Sequence, residues 1–366
     1  MTSDTYTIRE FKPGDREGFR ALFEMVFERP LSRETFEWKF ERNPYISHVP
    51  ILIAEANGTI VGARAFLARR LRVGEGTVLA LEGTDVMVRP DHRRQGIYTR
   101  LSESALKRYA DSEAALWFGF ANQISFRGNL DHSVRLTDAV PTYYRLQDPT
   151  ALLSSTDSIW TRLVSRIGAP LVRSYLGVRD RTRSESSDAV SVHRHAEIPA
   201  EALGALYERT TPDMLHTVRD ASFYRWRFGN PEWDYTAYTA IQGGRVVGGT
   251  VVGTQSVGGT TTTRIADVLP MGRSARTPAI KGVLEAAIAD HEDSDLIAAF
   301  GTAVSPALLD SYGFLSNCRP PLFWVAAANS MVVHSLVSGQ PEWNLDGFDP
   351  SDRSNWLLSY SDWDVI

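Results

Sequence analysis

The feature that most constrains the fold of this chain is an internal repeat with a tryptophan at the same point of each copy. The segment FEWKFERNP contains Trp38, and the segment YRWRFGNP contains Trp226, 188 residues further on. Each is followed by two apolar segments separated by a turn dipeptide, Asn57-Gly58 in the first copy and Gly243-Gly244 in the second. These dipeptides adopt the positive φ angles that a tight β-hairpin needs. The sequence therefore predicts two copies of one supersecondary unit.

The order of elements within each copy follows from its hydrophobic periodicity. A strand and an amphipathic helix precede each tryptophan, and Phe19, Leu22 and Phe23 share one face of the first of these helices. After each hairpin come a third apolar strand, a helix and a further strand, at 77–88, 99–110 and 115–121 and again at 261–271, 279–291 and 296–303. We therefore predict an α/β chain of the α+β kind, with two tandem β-α-β-β-β-α-β domains and mixed, mostly antiparallel sheets.

The repeat also divides the chain into four parts. We predict an N-terminal domain over 1–150, a helical connector and polar linker over 151–189, a second domain over 190–328 and a tail over 329–366. The tail contains NWLLSYSDWDVI, whose tryptophans and leucines predict that it docks on the body of the protein.

Composition excludes several classes of protein. The formal net charge is −5, so no overall positive field would recruit nucleic acid. Cys318 is the only cysteine, which excludes an internal disulfide and is typical of the reducing cytoplasm. We find no signal peptide, no apolar run long enough to span a membrane, and no His/Cys spacing typical of a zinc site. The expectation is a cytoplasmic protein without a metal, which could form a homo-oligomer.

The segment VRPDHRRQGIYTRL, residues 88–101, joins a strand to a helix through a glycine and several cationic side chains. A glycine at such a junction lets backbone N–H groups converge on an anion at the helix N-terminus. Arg93 and Arg94 add charged donors that suit phosphate. The segment is therefore interpreted as a pyrophosphate cradle, with a solvated basic turn as the alternative. No GxxxxGK[ST] or GxGxxG motif is present, which argues against a nucleoside triphosphatase and a dinucleotide fold.

VMVRPDHRRQGIYTRL resembles motif A of the GCN5-related N-acetyltransferases (GNAT), with Val88, Pro90, Arg93 and Gly96 in register. Tyr98 departs from the pattern, because a small residue is usual there. The resemblance implies two GNAT-like domains, of which the first binds acetyl-CoA as co-substrate. The second domain is degenerate, since its corresponding loop, PMGRSARTPAI, lacks the glycine motif. Relatives of this kind keep the cofactor chemistry in the N-terminal copy, and the second copy is expected to shape the acceptor cleft.

The resemblance also assigns residues to the cofactor. Backbone groups of Met87 and Val88 would pair with the pantetheine arm at the splayed ends of the strands, and Asn122 would bond it further along. The pyrophosphate would be held by the cradle residues, which are Arg93, Arg94, Gln95, Gly96, Ile97 and Tyr98.

The candidate catalytic residues are two carboxylates and a hydroxyl. Glu82 matches the catalytic glutamate of the histone-acetylating branch and is the first choice for a general base, with Asp85 second. Alternation places the two on opposite faces of an unbulged strand, and a bulge would change that. The alternative is that each is a structural carboxylate paired with an arginine such as Arg64 or Arg69. The usual tyrosine acid is replaced by Phe126, so Ser125 is the candidate that could reach the sulfur. The terminal carboxylate of Ile366 is a further possibility.

The expected function is an acyl-CoA-dependent, most simply acetyl-CoA-dependent, N-acyltransferase that acts on the amine of a small molecule. Two alternatives stay open. One is a transferase of the FemABX type that takes its aminoacyl group from tRNA, which the net charge disfavours. The other is a non-catalytic regulator that binds CoA or another ligand. The sequence does not identify the acceptor, the acyl length, the general acid or the oligomeric state.

Overall fold

The computed structural model describes residues 6–110, 112–121, 134–147, 190–272, 278–324, 326–337 and 344–364. The strands are β1 Thr7–Glu10, β2 Ile51–Ala56, β3 Thr59–Val73, β4 Gly76–Val88, β5 Ala114–Ala121, β6 Val134–Val140, β7 Thr142–Leu146, β8 Ser191–His195, β9 His216–Thr217, β10 Asp234–Gln242, β11 Arg245–Val257, β12 Thr260–Leu269, β13 Leu296–Phe300, β14 Leu315–Ser316 and β15 Asn329–Ser335. The α-helices are α1 Arg16–Phe27, α2 Arg33–Phe36, α3 Ile97–Tyr109, α4 Ala200–Thr210, α5 Ala221–Arg227, α6 Pro278–Asp290 and α7 Pro306–Ser311.

The chain divides into two compact units. The first comprises Met1–Thr137, Gly229–Pro231 and Ser330–Arg353, and the second comprises Asp138–Phe228, Glu232–Asn329 and Ser354–Ile366. Each unit therefore contains chain segments from more than one part of the sequence.

The first unit is built on a sheet whose strand order is β1-β2-β3-β4-β5-β15-β6. The pair β4–β5 is parallel, whereas the pairs β1–β2, β2–β3, β3–β4 and β5–β15 are antiparallel. The hairpin between β2 and β3 turns at Asn57 (φ 50°) and Gly58 (φ 76°), as a tight turn of this kind requires. Helix α3 buries Ile97, Leu101 and Ala105 against one face of this sheet.

The second unit repeats this arrangement with the strand order β14-β7-β13-β12-β11-β10-β8. Among the strands that the structure describes in this sheet, the one parallel pair is β12–β13, the counterpart of β4–β5. Gly243 and Gly244 have φ angles of 57° and 75° in the hairpin between β10 and β11. The predicted fold class, two tandem β-α-β-β-β-α-β domains with mixed and mostly antiparallel sheets, is therefore confirmed.

Two strands do not follow the boundaries of the sequence repeat. Strand β7 follows the first copy of the repeat in the chain but pairs with β13 and β14 in the second sheet. Strand β15 follows the second copy but pairs with β5 in the first sheet. Each sheet is thus completed by a strand that follows the other copy of the repeat in the sequence.

The repeated tryptophans are core residues, with Trp38 only 3% and Trp226 only 7% exposed. A buried cation follows each of them in the sequence, Lys39 in the first unit and Arg227 in the second. Lys39 lies in a short π-helical segment, Glu37–Glu41. This segment connects α2 to the sheet of the first unit.

The last described segment of the tail, from Ser354 onward, packs into the second unit. Trp356, Leu357, Leu358 and Tyr360 are buried there. Arg219 bonds the carboxylate of Asp362 at 2.7 Å and 3.0 Å, and both side chains are fully buried. Hydrogen bonds from a buried guanidinium to a carboxylate are among the stronger ones in proteins, so this pair fastens the tail to the unit.

Candidate acyl-CoA site

Strands β4 and β5 separate part-way along their length. Their parallel ladder runs from Leu79 opposite Ala114 to Glu82 opposite Phe118, the last pair among the described residues. Strand β4 continues to Val88, where it is still paired with Gly62 of β3 on its other side. The C-terminal half of β4 therefore borders an opening on the side of β5. We call this the β4–β5 opening.

The junction between β4 and α3 lies at the wide end of this opening. Arg94 and Gly96 both have left-handed backbone conformations, with φ angles of 64° and 74°. A Cβ added to Gly96 would meet no atom within 4 Å, and no side chain caps the helix that begins at Ile97. When residues in the left-handed conformation alternate with residues in other conformations, successive backbone N–H groups point into one concavity, which suits an anion.

Neighbouring side chains hold this loop in place and leave its cationic groups exposed. Arg93 donates through Nε to the carbonyl of Val88 at 3.2 Å, and Tyr6 hydrogen-bonds both His92 and Gln95. Arg93 and Arg94 lie at the surface. A pyrophosphate fits this junction, because each of its components supplies a hydrogen-bond donor or positive charge. These components are the first N–H groups of a 13-residue helix, two guanidinium groups and an uncrowded glycine.

Glu82 is not an open carboxylate. It is 1% exposed and accepts two hydrogen bonds from Arg69, from Nη2 at 2.6 Å and from Nε at 2.9 Å. Arg69 is fully buried as well. This is the ion pair that the sequence offered as the alternative to a general base.

Asp85 lies at a bulge in β4 and bonds Lys39 at 2.7 Å. The register passes from Phe66 opposite Gly83 to Arg64 opposite Val86, so two residues of β4 oppose one residue of β3. This extra residue brings Asp85 to the face of the sheet that carries Glu82. The Asp85 side chain is 12% exposed, whereas Lys39 is fully buried.

A family model for the acetyltransferase (GNAT) domain matches residues 7–134, which contain the β4–β5 opening and its anion cradle. These residues form a GNAT domain. A comparison with curated proteins finds no match.

Solved structures show the same fold over nearly the whole chain. A GCN5-related N-acetyltransferase from Anabaena variabilis has a TM-score of 0.60 and 10% identity, over 91% of this chain and 73% of that one. A second, from Kribbella flavida, has a TM-score of 0.53 and 14% identity, over 90% and 71%. A tandem GNAT protein from the clavulanic acid biosynthesis pathway has a TM-score of 0.54 and 12% identity, over 92% and 100%. The likeness to a tandem GNAT protein agrees with the presence of two sheets, one in each unit of this chain.

The position of Tyr98 explains its departure from the GNAT motif. The centroid of its ring lies 5.7 Å from the guanidinium carbon of Arg64, a residue of β3. Arg64 also donates to the hydroxyl of Ser102 at 2.8 Å, one turn further along α3. The large side chain of Tyr98 therefore packs beside the buried cation of Arg64. A small residue at this position would not make that contact.

Two buried cations near the candidate site have contacts that the sequence did not predict. Lys39 bonds Asp85, one of the candidate bases, and Arg64 bonds Ser102 of α3. The repeat contained a signal for Lys39, because a cation follows the tryptophan in both copies. Ser125, Asn122, Phe126 and Ile366 lie outside the described residues. Among the residues that are described, no helix could span a membrane, and no cluster of metal-binding side chains was found.

Proposed function

We propose that this chain is an acyl-CoA-dependent N-acyltransferase that transfers its acyl group directly to the amine of a small molecule. The observation that carries the proposal is the uncapped N-terminus of α3, which begins beside the open half of β4 with Arg94 and Gly96 in left-handed conformations. An extended chain that ends in a pyrophosphate fits these two features together.

Each part of the site would have a separate task. The backbone N–H groups from Gln95 to Tyr98, with Arg93 and Arg94, would bind the pyrophosphate. Main-chain groups of Met87 and Val88 would orient the pantetheine arm along β4, and Asn122 would bond it further along. Acyl-CoA would supply an activated thioester. The amine nitrogen would form the new C–N bond while the C–S bond breaks. The sulfur would leave with the electron pair of that bond and take up the proton lost by the amine, which gives the free thiol.

The base that removes this proton would be Asp85 before Glu82. Deprotonating an ordinary alkyl amine at pH 7 costs about 4.6 kcal/mol, so a carboxylate that the amine can reach is useful. The Asp85 side chain is partly accessible and that of Glu82 is almost inaccessible. Glu82 would then position β4 through Arg69, and Ser125 would remain the candidate for contact with the sulfur.

The match to an acetyltransferase domain, taken alone, supports acetyl-CoA as the donor. We further propose a cytoplasmic protein that acts without a metal, a nucleic acid or a membrane partner, and that could be a homo-oligomer. The net charge of −5 supports the exclusion of a nucleic acid, since an RNA-binding transferase needs a basic surface.

Binding of CoA to two matched glycine variants tests the proposal. Gly96→Asp adds a negative charge inside the cradle, and we expect it to weaken CoA binding at least about 100-fold in calorimetry, because it opposes the pyrophosphate. Gly58→Asp is the control, since Gly58 has almost the same φ angle and equally open surroundings in the β2–β3 hairpin. Equal CoA affinity of the two variants, or no CoA binding by the wild type, would contradict the proposal.

A CoA-binding regulator is the alternative that one observation favours, because both candidate bases are engaged in ion pairs. Thiol release from acetyl-CoA, measured across a panel of aminosugars, amino-acid derivatives and aromatic amines, separates the two functions. Release that depends on one class of amine supports the transferase. Tight CoA binding without release from any amine supports the regulator.

A further inference from the structure

Two buried hydrogen-bond donors lie side by side on the face of the first sheet that packs against α3. The guanidinium carbon of Arg64 is 4.7 Å from the centroid of the Trp117 ring. Arg64 is 3% and Trp117 is 6% exposed. Among the described residues, neither Nε of Arg64 nor Nε1 of Trp117 has a hydrogen-bond acceptor. Buried donors of this kind are rare in folded proteins and call for an explanation.

The pair is located at the narrow end of the β4–β5 opening. Arg64 belongs to β3 and Trp117 to β5, so the arginine side chain crosses β4 to reach the indole. A Cβ on Gly83 would lie only 2.3 Å from Nε1 of Trp117. Gly83 is the first residue of β4 beyond the last ladder pair with β5. Both donors therefore lie where the two strands begin to separate.

The surroundings of Arg64 do not balance its charge. Its described polar partners are the hydroxyl groups of Ser102 and Tyr98, and three aromatic rings surround it, those of Phe66, Tyr98 and Trp117. Burial lowers the pKa of the Arg64 guanidinium below its usual value. A buried charge is costly unless an opposite charge accompanies it, whereas aromatic rings offset only part of that cost. An anion at this point would stabilise the arrangement.

We propose that Arg64 and Trp117 bind the carboxylate of an acyl group, so that the preferred donor is the CoA thioester of a short dicarboxylic acid. This inference rests on the proposed function. With the pyrophosphate at Gly96 and the pantetheine arm along Val88 and Met87, the acyl end of the molecule points toward Gly83. A carboxylate at the end of a short acyl chain would accept hydrogen bonds from both donors and neutralise the guanidinium. An acetyl group offers neither a charge nor the reach.

The test compares the binding of succinyl-CoA, acetyl-CoA and CoA by calorimetry, without an acceptor amine. We expect the wild type to bind succinyl-CoA at least about tenfold more tightly than acetyl-CoA. Arg64→Met keeps the length of the side chain and removes its charge, and should bring the two affinities together without changing that for CoA. Trp117→Phe keeps a ring and removes the donor, and should reduce the preference in part.

Arg264→Met is the matched control. Arg264 is also a buried arginine over an aromatic ring, 4.1 Å from that of Trp233, but it belongs to the second unit. It should keep the preference for succinyl-CoA. If circular dichroism shows that Arg64→Met does not fold, the affinities of the wild type and Trp117→Phe for the two thioesters still test the proposal.

The outcomes separate this inference from the proposed function. CoA binding with equal affinities for both thioesters, or a preference that survives in Arg64→Met, overturns the carboxylate site alone. An absence of CoA binding by the wild type overturns the proposed function and this inference with it. A preference for succinyl-CoA that is lost in Arg64→Met, reduced in Trp117→Phe and kept in Arg264→Met supports both the proposed function and the carboxylate site.

Discussion

The fourth strand of each β-α-β-β-β-α-β repeat carries an aspartate at the same position, which is partly buried in the first unit and almost fully buried in the second. Asp85 precedes Val86-Met87 and Asp267 precedes Val268-Leu269, and each lies at or beside a bulge. Asp85 bonds Lys39, and Asp267 bonds Arg219 and Tyr224. Burial raises the pKa of Asp267 above its ordinary value, against the attraction of Arg219. Because the second unit, whose loop lacks the glycine motif, keeps such a pair, the ion pair of Asp85 also has a structural purpose, whatever its part in proton transfer.

The turn between β4 and α3 could be predicted from the sequence, whereas the partners of the charged side chains near it could not. The cradle from Arg93 to Tyr98 is a local pattern of neighbouring residues. The pairs Lys39–Asp85 and Arg69–Glu82 join residues 46 and 13 positions apart, and they depend on how strands and helices pack. Periodicity gives the face on which a side chain lies but not the partner that it meets there.

Glu82→Gln tests whether Glu82 positions the strand. We expect a loss of about 3–5 kcal/mol in the free energy of unfolding, measured by urea denaturation, because the substitution leaves the buried Arg69 without its counter-charge. The double variant Glu82→Gln/Arg69→Met should recover much of this loss, since no buried charge remains. Glu37→Gln, in the exposed pair with Arg33, should cost no more than about 1 kcal/mol.

Thiol release by the double variant then distinguishes the two roles of Glu82. A stable double variant that still releases thiol indicates a positioning residue. A stable double variant without activity indicates that Glu82 is the base, and would contradict the precedence that we give to Asp85.

Strand β4 is the element that shapes the site. Its first half pairs with neighbours on both sides, its bulge turns Asp85 to the face of Glu82, and its second half borders the opening. The sequence predicted the strand, and it anticipated that a bulge would change the relation of the two carboxylates. It did not give the point at which β4 and β5 separate, because packing between residues of different strands, such as the contact between Trp117 and Gly83, cannot be read from the pattern of one strand.

Gly83→Ala tests this contact. The added Cβ would lie within 2.3 Å of the indole Nε1, so Trp117 has to move, and we expect a loss of about 1–3 kcal/mol in the free energy of unfolding. Combining it with Trp117→Phe should recover part of the loss, because the five-membered ring that causes the clash is absent. Gly76→Ala, in the same strand but with only a 3.6 Å contact, should change stability little. Equal losses for both glycines would show that the indole has no such role.

At the scale of the whole molecule, the repeat and the folded units differ in their boundaries. The sequence predicts where each supersecondary unit begins, because each has its own tryptophan and hairpin. It does not reveal that β7 completes the second sheet and β15 the first, since an apolar strand that follows either copy satisfies the same pattern. The pairing of such strands is decided by the complete chain.

This exchange predicts that the first copy of the repeat does not fold alone. A fragment of residues 1–140 lacks β15, whose ladder with β5 runs from Ser330 opposite Ala121 to Ser335 opposite Leu116. An apolar strand edge left unpaired promotes association with other chains, so we expect aggregates or oligomers in size-exclusion chromatography. Joining 1–140 to 329–353 through a flexible linker returns the missing strand and should yield a monomer with cooperative unfolding. A monomeric, cooperatively folded 1–140 fragment would show instead that β5 needs no partner from the end of the chain.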